Sequence, residues 1–107
     1  VAKKGGKTME VKVQSIHFDA DKKLVAFVKE KLNKLSKLND TIVAGEVFLR
    51  LDKSDVNENK IAEIKLAVPG KDLFAKRQCK SFEEAVDLSV EALRRQVKKH
   101  KEKLKAK

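Results

Sequence analysis

From Ser81 onward the chain continues to its last residue without a proline or glycine, and its apolar residues recur at helical spacing, with Phe82, Val86, Leu93, Val97 and Leu104 on one side. Ser81-Phe82-Glu83-Glu84 is a capping-box sequence, in which Ser81 caps the helix and Glu84 reaches back from the third position. The pattern predicts a helix over 82–105, about 36 Å long at 1.5 Å per residue. A helix that is apolar on one side only must lay that side on another layer. In a chain of 107 residues, room for one domain and not two, that layer must come from the same core.

The remaining segments supply it. Met9, Val11 and Val13 alternate with Glu10, Lys12 and Gln14, the period of a half-buried strand. Asp19 or Asp21 offers an N-cap for a first helix running to about Leu38, in which Leu24, Phe27, Val28, Leu32, Leu35 and Leu38 form a stripe. Three further strands follow. Val47, Leu49 and Leu51 alternate with Phe48 and Arg50; Ala62, Ile64, Leu66 and Val68 alternate with Glu63, Lys65 and Ala67; Leu73, Ala75 and Arg77 follow in a third run. Pro69-Gly70 fits a tight turn between the last two strands, since proline presets the first central φ and glycine accepts a positive one. Asp52 to Asn59 reads as a polar loop joining the other pair. The expected class is α+β, in the order β-α-β-β-β-α, with a four-stranded sheet and two helices packed on one face.

Charge is unevenly placed. The net +10 comes from 26 Lys and Arg against 16 Asp and Glu. Residues 1–8 hold three lysines and no acid, residues 9–93 hold 15 bases and 15 acids, and residues 94–107 hold eight bases against Glu102. The basic C-terminal end favours a polyanionic partner. Helix-dipole complementarity explains cations in a last turn but not eight over 14 residues. Arg95, Lys99 and Lys103 recur at i, i+4 and i+8 beside the apolar stripe; Arg94, Lys98, Lys101 and Lys105 read as a second ridge on the outer flank. The first helix adds six lysines against Glu30, among them Lys34 and Lys31. Lys31 falls within the stripe between Phe27 and Leu35, either as a snorkelling lysine covering the core edge or as a cation held in the seam between helices. Two basic flanks side by side suit the sugar-phosphate backbone of a structured nucleic acid.

Other chemistries find little footing. His17 and His100 are remote from the lone Cys79, so no metal set of ordinary spacing exists, and no cofactor is implied. The single cysteine excludes an internal disulfide and reads as a buried small residue rather than a nucleophile. Asp55 to Asn59 imitates the start of a calcium loop, but Lys60 stands where glycine is required. Nothing resembles a phosphate-cradling glycine loop or a base-reading motif; Phe48 and Phe74 are expected to pack against neighbours rather than stack bases. No segment approaches the roughly 18 apolar residues of a membrane span. Cytoplasm is the expected compartment. Residues 1–8 read as a disordered leader or an expression leftover, with the functional domain at 9–107 and Met9 a plausible native start.

Ala85-Val86-Asp87 and then Arg95-Gln96-Val97-Lys98-Lys99-His100-Lys101-Glu102-Lys103-Leu104-Lys105 resemble the "AID" and the R-Q-L-x-K-H-K-x-K-L-K ending of the short ribosome hibernation-promoting factors and the related ribosome-associated inhibitor A, the sigma-54 modulation or ribosomal subunit interface protein family. Phe27-Val28 with Lys31, Lys34 and Leu35 is similar to the family's first helix, and Val68-Pro69-Gly70 to its third hairpin turn. The resemblance implies a domain similar to double-stranded-RNA-binding folds, seated in the small subunit where mRNA and tRNA lie, with both basic helices on 16S rRNA. It assigns that contact to Lys31, Lys34, Arg95, Lys99, Lys101, Lys103 and Lys105, and the ridge pattern adds Arg94 and Lys98. Where the family usually has Asp-Met-Tyr before "AID", this chain has Ser81-Phe82-Glu83-Glu84, with the acid Glu83 in place of the tyrosine, and the resemblance leads us to expect a short form without the dimerisation domain of long members.

The expected function is therefore a non-enzymatic, ribosome-binding translation inhibitor whose partners are the 30S subunit and 16S rRNA, with no small-molecule substrate and no membrane, monomeric off the ribosome. The alternatives are a general structured-RNA-binding module and a basic helix docking an acidic protein or anionic surface.

Overall fold

The computed structural model describes residues 10–38, 42–52 and 57–105, with the backbone alone at 38, 101 and 103–105. Residues 1–8 and Met9 lie outside the described residues, as do Asp55 and Val56 of the calcium-like run. Six elements follow in order: β1 (Glu10–Ile16), α1 (Lys22–Leu38), β2 (Ala44–Leu51), β3 (Lys60–Val68), β4 (Lys71–Cys79) and α2 (Phe82–Lys105).

The helix starts are set by short side chains. Leu24 N–H donates to Asp21 Oδ1 at 2.8 Å, which decides between the two candidate caps. Glu84 N–H donates to Ser81 Oγ at 3.1 Å, half of the expected capping box. Between β3 and β4 the two-residue turn is as expected, with Gly70 at φ +87°.

The sheet has the spatial order β1-β2-β3-β4, the same as the order in sequence. β2, β3 and β4 form an antiparallel meander, while β1 runs parallel to β2 with Val13 opposite Val47. α1 is the crossover that a parallel pair requires. Both helices cover one sheet face: α2 packs on β3 and β4, α1 on β1, and the helices touch each other. The core between them contains Val28, Leu32 and Leu35 of α1, Val47, Leu49, Ile64 and Leu66 of the central strands, and Val86, Leu93 and Val97 of α2. Phe18, just after β1, stacks on Phe82 with ring centroids 5.0 Å apart, fixing the entry to α1 against the start of α2.

Two positions that interrupt the apolar stripe of α2 have distinct roles. Gln96 Nε2 donates to the carbonyl of Phe74 at 3.0 Å, so α2 satisfies a backbone acceptor of β4, an edge strand. Ser89 is fully buried in the core.

Among the described residues no helix covers the opposite sheet face. Lys12, Arg50, Lys65 and Lys76 point to it, and so do Glu10, Glu46, Glu63 and Asp72, so its charges balance. They also pair across strands: Arg50 with Glu63, Lys76 with Glu63 at 3.7 Å, and Lys65 with Glu46 at 3.6 Å. Phe74 lies on this face 52% exposed, contrary to the expectation that it packs against neighbours, because its strand neighbours Leu73 and Ala75 take the core side. Phe48 is half-buried there.

Candidate nucleic-acid interface

The helical layer divides the candidate cations into two sites. Lys31 and Lys34 of α1 face α2, and a groove of about 120 Å³ between the helices is lined by Lys31, Lys34, Leu35, Asp87, Val90, Glu91 and Arg94. Arg94 therefore lies in the seam and not on the outer flank that its ridge suggested. The cause is the position of α1: the outer flank of an isolated helix becomes an inner wall once a second helix is set beside it. Lys98, exposed and one turn on from Arg94, continues this wall away from the groove.

Arg95 lies about 100° round the helix from Arg94. With Lys99, one turn later, it forms a second exposed ridge on the side of α2 turned away from the core, and not beside the apolar stripe as expected, because Leu93 and Val97 face the sheet from nearly the opposite side of the helix. Lys101, Lys103 and Lys105 belong to α2, but their side chains lie outside the described residues. Of the nine expected cations, Lys31, Lys34 and Arg94 are thus brought together, and Arg95 with Lys99 is set apart from them.

Lys31 sits in the seam, as its place in the stripe allowed. Its Nζ is 2.9 Å from Asp87 Oδ1 and 5.4 Å from the centroid of the Phe27 ring, so an acid and a π-face share it. Arg94 approaches Glu91 at 3.9 Å. Among the described residues Lys34 makes no ion pair. Asp87 and Glu91 are the residues of this groove that counting cations had missed. Their spacing from Arg94, at i−7 and i−3 on one helix, was the available signal.

Other candidate chemistries can be placed as well. Cys79 ends β4, buried, and burial pushes its thiol pKa up, reinforced by the nearby carboxylates of Glu84 and Glu58 and opposed by Arg77. Such a thiol stays protonated and is a poor nucleophile. Among the described residues no three His, Cys, Asp or Glu side chains gather as a metal site, and no helix is long and apolar enough to cross a membrane.

A β-α-β-β-β-α domain with this split basic layer can be compared with known proteins. The family model described as sigma 54 modulation protein / S30EA ribosomal protein matches residues 11–105. The chain belongs to this family. Members similar to it include the ribosome hibernation promoting factors of Pseudomonas putida, 30% identical over 95 residues, and of Azotobacter vinelandii, 32% identical over 95 residues. These alignments cover 89% of this chain and 89% and 85% of the two relatives. In fold, the chain is similar to a ribosomal subunit interface protein from Coxiella burnetii, with a TM-score of 0.78 and 22% identity over 87% of this chain and 98% of that one. It is also similar to the N-terminal domain of Thermus thermophilus Protein Y, with a TM-score of 0.74 and 24% identity over 86% and 99%. At those identities the two structures speak for the fold, and they share the order of elements described above.

Proposed function

We propose that this chain is a ribosome-binding translation inhibitor, a hibernation factor that occupies the mRNA and tRNA region of the small subunit while its basic helices contact 16S rRNA. The observation that carries the reading is the electrostatic division of the molecule. The open sheet face balances its charges strand by strand, whereas α1 carries six lysines against Glu30 and the last turns of α2 are basic. A polyanion approaching from solvent is steered to the helical layer. Relatives named ribosome hibernation promoting factor, aligned over most of their length, support the choice of ribosomal RNA as that polyanion.

The mechanism is steric and electrostatic. The sheet holds α1 and α2 at a fixed separation, so that the groove cations Lys34 and Arg94 and the ridge cations Arg95 and Lys99 meet phosphates at two places at once. Lys98, Lys101, Lys103 and Lys105 extend the contact along α2. No covalent step, cofactor or small-molecule substrate enters, and the protein is a cytoplasmic monomer until it meets a ribosome. Binding of this kind weakens steeply with salt, because each neutralised phosphate releases counterions.

Sedimentation with ribosomes tests it. Lys34→Glu with Arg94→Glu, and Arg95→Glu with Lys99→Glu, are each expected to reduce co-sedimentation with 30S and 70S particles, and the four together to abolish it with the circular dichroism unchanged. A folded quadruple variant that still pellets with ribosomes would refute the proposal. A purified duplex RNA that competes as well as 30S subunits would favour a general structured-RNA binder instead.

A further inference from the structure

The groove between α1 and α2 holds more acid than a phosphate site requires. Lys31, Lys34 and Arg94 line it, but so do Asp87 and Glu91. Arg94 meets Glu91 loosely at 3.9 Å, while the Lys31 ammonium is held at 2.9 Å by Asp87. That pair is not sealed in the core: the Lys31 and Asp87 side chains remain 32% and 49% exposed, so water and incoming anions reach both partners. A groove of about 120 Å³, well above the roughly 10–15 Å³ that a single water needs, has room for a phosphate group.

We propose that Asp87 is an internal competitor for RNA phosphate in this groove, occupying Lys31 and opposing any anion that enters. The inference rests on the reading that the helical layer binds RNA and adds a specificity-determining residue to it. The carboxylate takes one of the three ammonium donors, and its charge repels a phosphodiester at the same place. An isolated phosphate therefore gains little from the groove. A partner that presents further phosphates to Lys98 and the Arg95–Lys99 ridge gains enough elsewhere to enter. Asp87 thus raises the density of negative charge that a partner must offer. Its position on α2, one turn before Glu91 and two before Arg94, places acid and base on the same wall.

The test uses the full chain and a duplex RNA of about 16 base pairs, the length a comparable RNA-binding domain spans, titrated over a salt series. A unit charge about 5 Å from a phosphate in a water-like, partly screened medium changes binding by about two- to fourfold. Asp87→Asn is therefore expected to tighten binding by that factor near 0.1 M salt, and to steepen the slope of log K against log salt by about 0.9, the value for one added phosphate contact. Lys31→Gln in the Asp87→Asn background removes both gains. Asp72→Asn, which makes the same change in net charge on the open sheet face, produces neither. As a second arm that leaves Asp87 in place, Lys31→Gln alone costs less affinity than Lys34→Gln. Weaker binding by Asp87→Asn with an unaltered melting curve would mean that the carboxylate positions Lys31 for phosphate, and would overturn the proposal. So would an equal gain in Asp72→Asn, or a gain that survives loss of Lys31. Ribosome sedimentation of the unmodified protein, run alongside, separates the failures: if it pellets and Asp87→Asn shows no gain, only this inference falls, and if it neither pellets nor binds the duplex, the proposed function falls with it.

Discussion

Replacing Ser89 by alanine should stabilise the domain, against the usual direction of core substitutions. Ser89 faces the core from the middle of α2 with 0% of its surface exposed, and among the described residues its Oγ has no hydrogen-bond partner. Burying a hydroxyl without a partner costs about 1–3 kcal/mol in proteins. Alanine also exceeds serine in helix propensity by about 0.5 kcal/mol. Against these gains stands the small volume lost with one oxygen, at about 24 cal/mol per Å³ of any void left. The balance is a gain of about 1.5 kcal/mol, which raises the midpoint of a domain this size by roughly 6 to 12 °C. Thermal and urea unfolding followed by far-UV circular dichroism would measure it, with Leu93→Ala as the contrasting variant at a cost of about 2–5 kcal/mol, since Leu93 is equally buried but wholly apolar. A lower midpoint for Ser89→Ala would show that the hydroxyl is bonded in solution, and the reasoning from an orphaned polar atom would fail.

Two further outcomes follow from the turn and the thiol. Gly70→Ala should cost about 1–2 kcal/mol from backbone strain alone, because its φ is +87° while a Cβ there meets no atom of the described residues within 4 Å; a negligible change in urea midpoint would count against the left-handed turn. Cys79 has its thiol pKa raised on folding, so its contribution to stability is present below the ordinary thiol pKa and is lost as pH rises through the higher folded value. Iodoacetamide should accordingly label the folded protein much more slowly at pH 8 than the urea-unfolded chain, and equal rates would contradict the burial.

The elements were legible where a single local pattern decided them. Pro69-Gly70 announces its turn through φ alone, and the alternation around Ile64 and Leu66 survives intact because one face of β3 is fully covered. What eluded the sequence was whatever depends on a neighbour far away in the chain. Nothing in Val11 or Val13 says that β1 pairs parallel with β2, since the partner is chosen by the crossover of α1. Arg94 read as an outer residue because a helical wheel has no knowledge of the helix beside it. Gln96 looked like a flaw in the apolar stripe until β4 placed a carbonyl opposite it. The same holds for Lys31, whose position in the seam was readable while its partner was not: Asp87 is 56 residues away in sequence.

The coincidence of spatial and sequential strand order has a consequence for synthesis. A growing chain can add β1, β2, β3 and β4 to one advancing edge without waiting for a strand not yet made, so non-local pairing demands little rearrangement. The exception is the last element. Until α2 exists, the helix-facing side of β3 and β4, with Leu66, Leu73 and Ala75, is uncovered, and the groove lacks the wall that carries Asp87 and Arg94. Sealing the core and completing the binding surface are therefore one event. On the proposed reading, a nascent chain that has not yet received α2 has no assembled site with which to silence the ribosome still producing it.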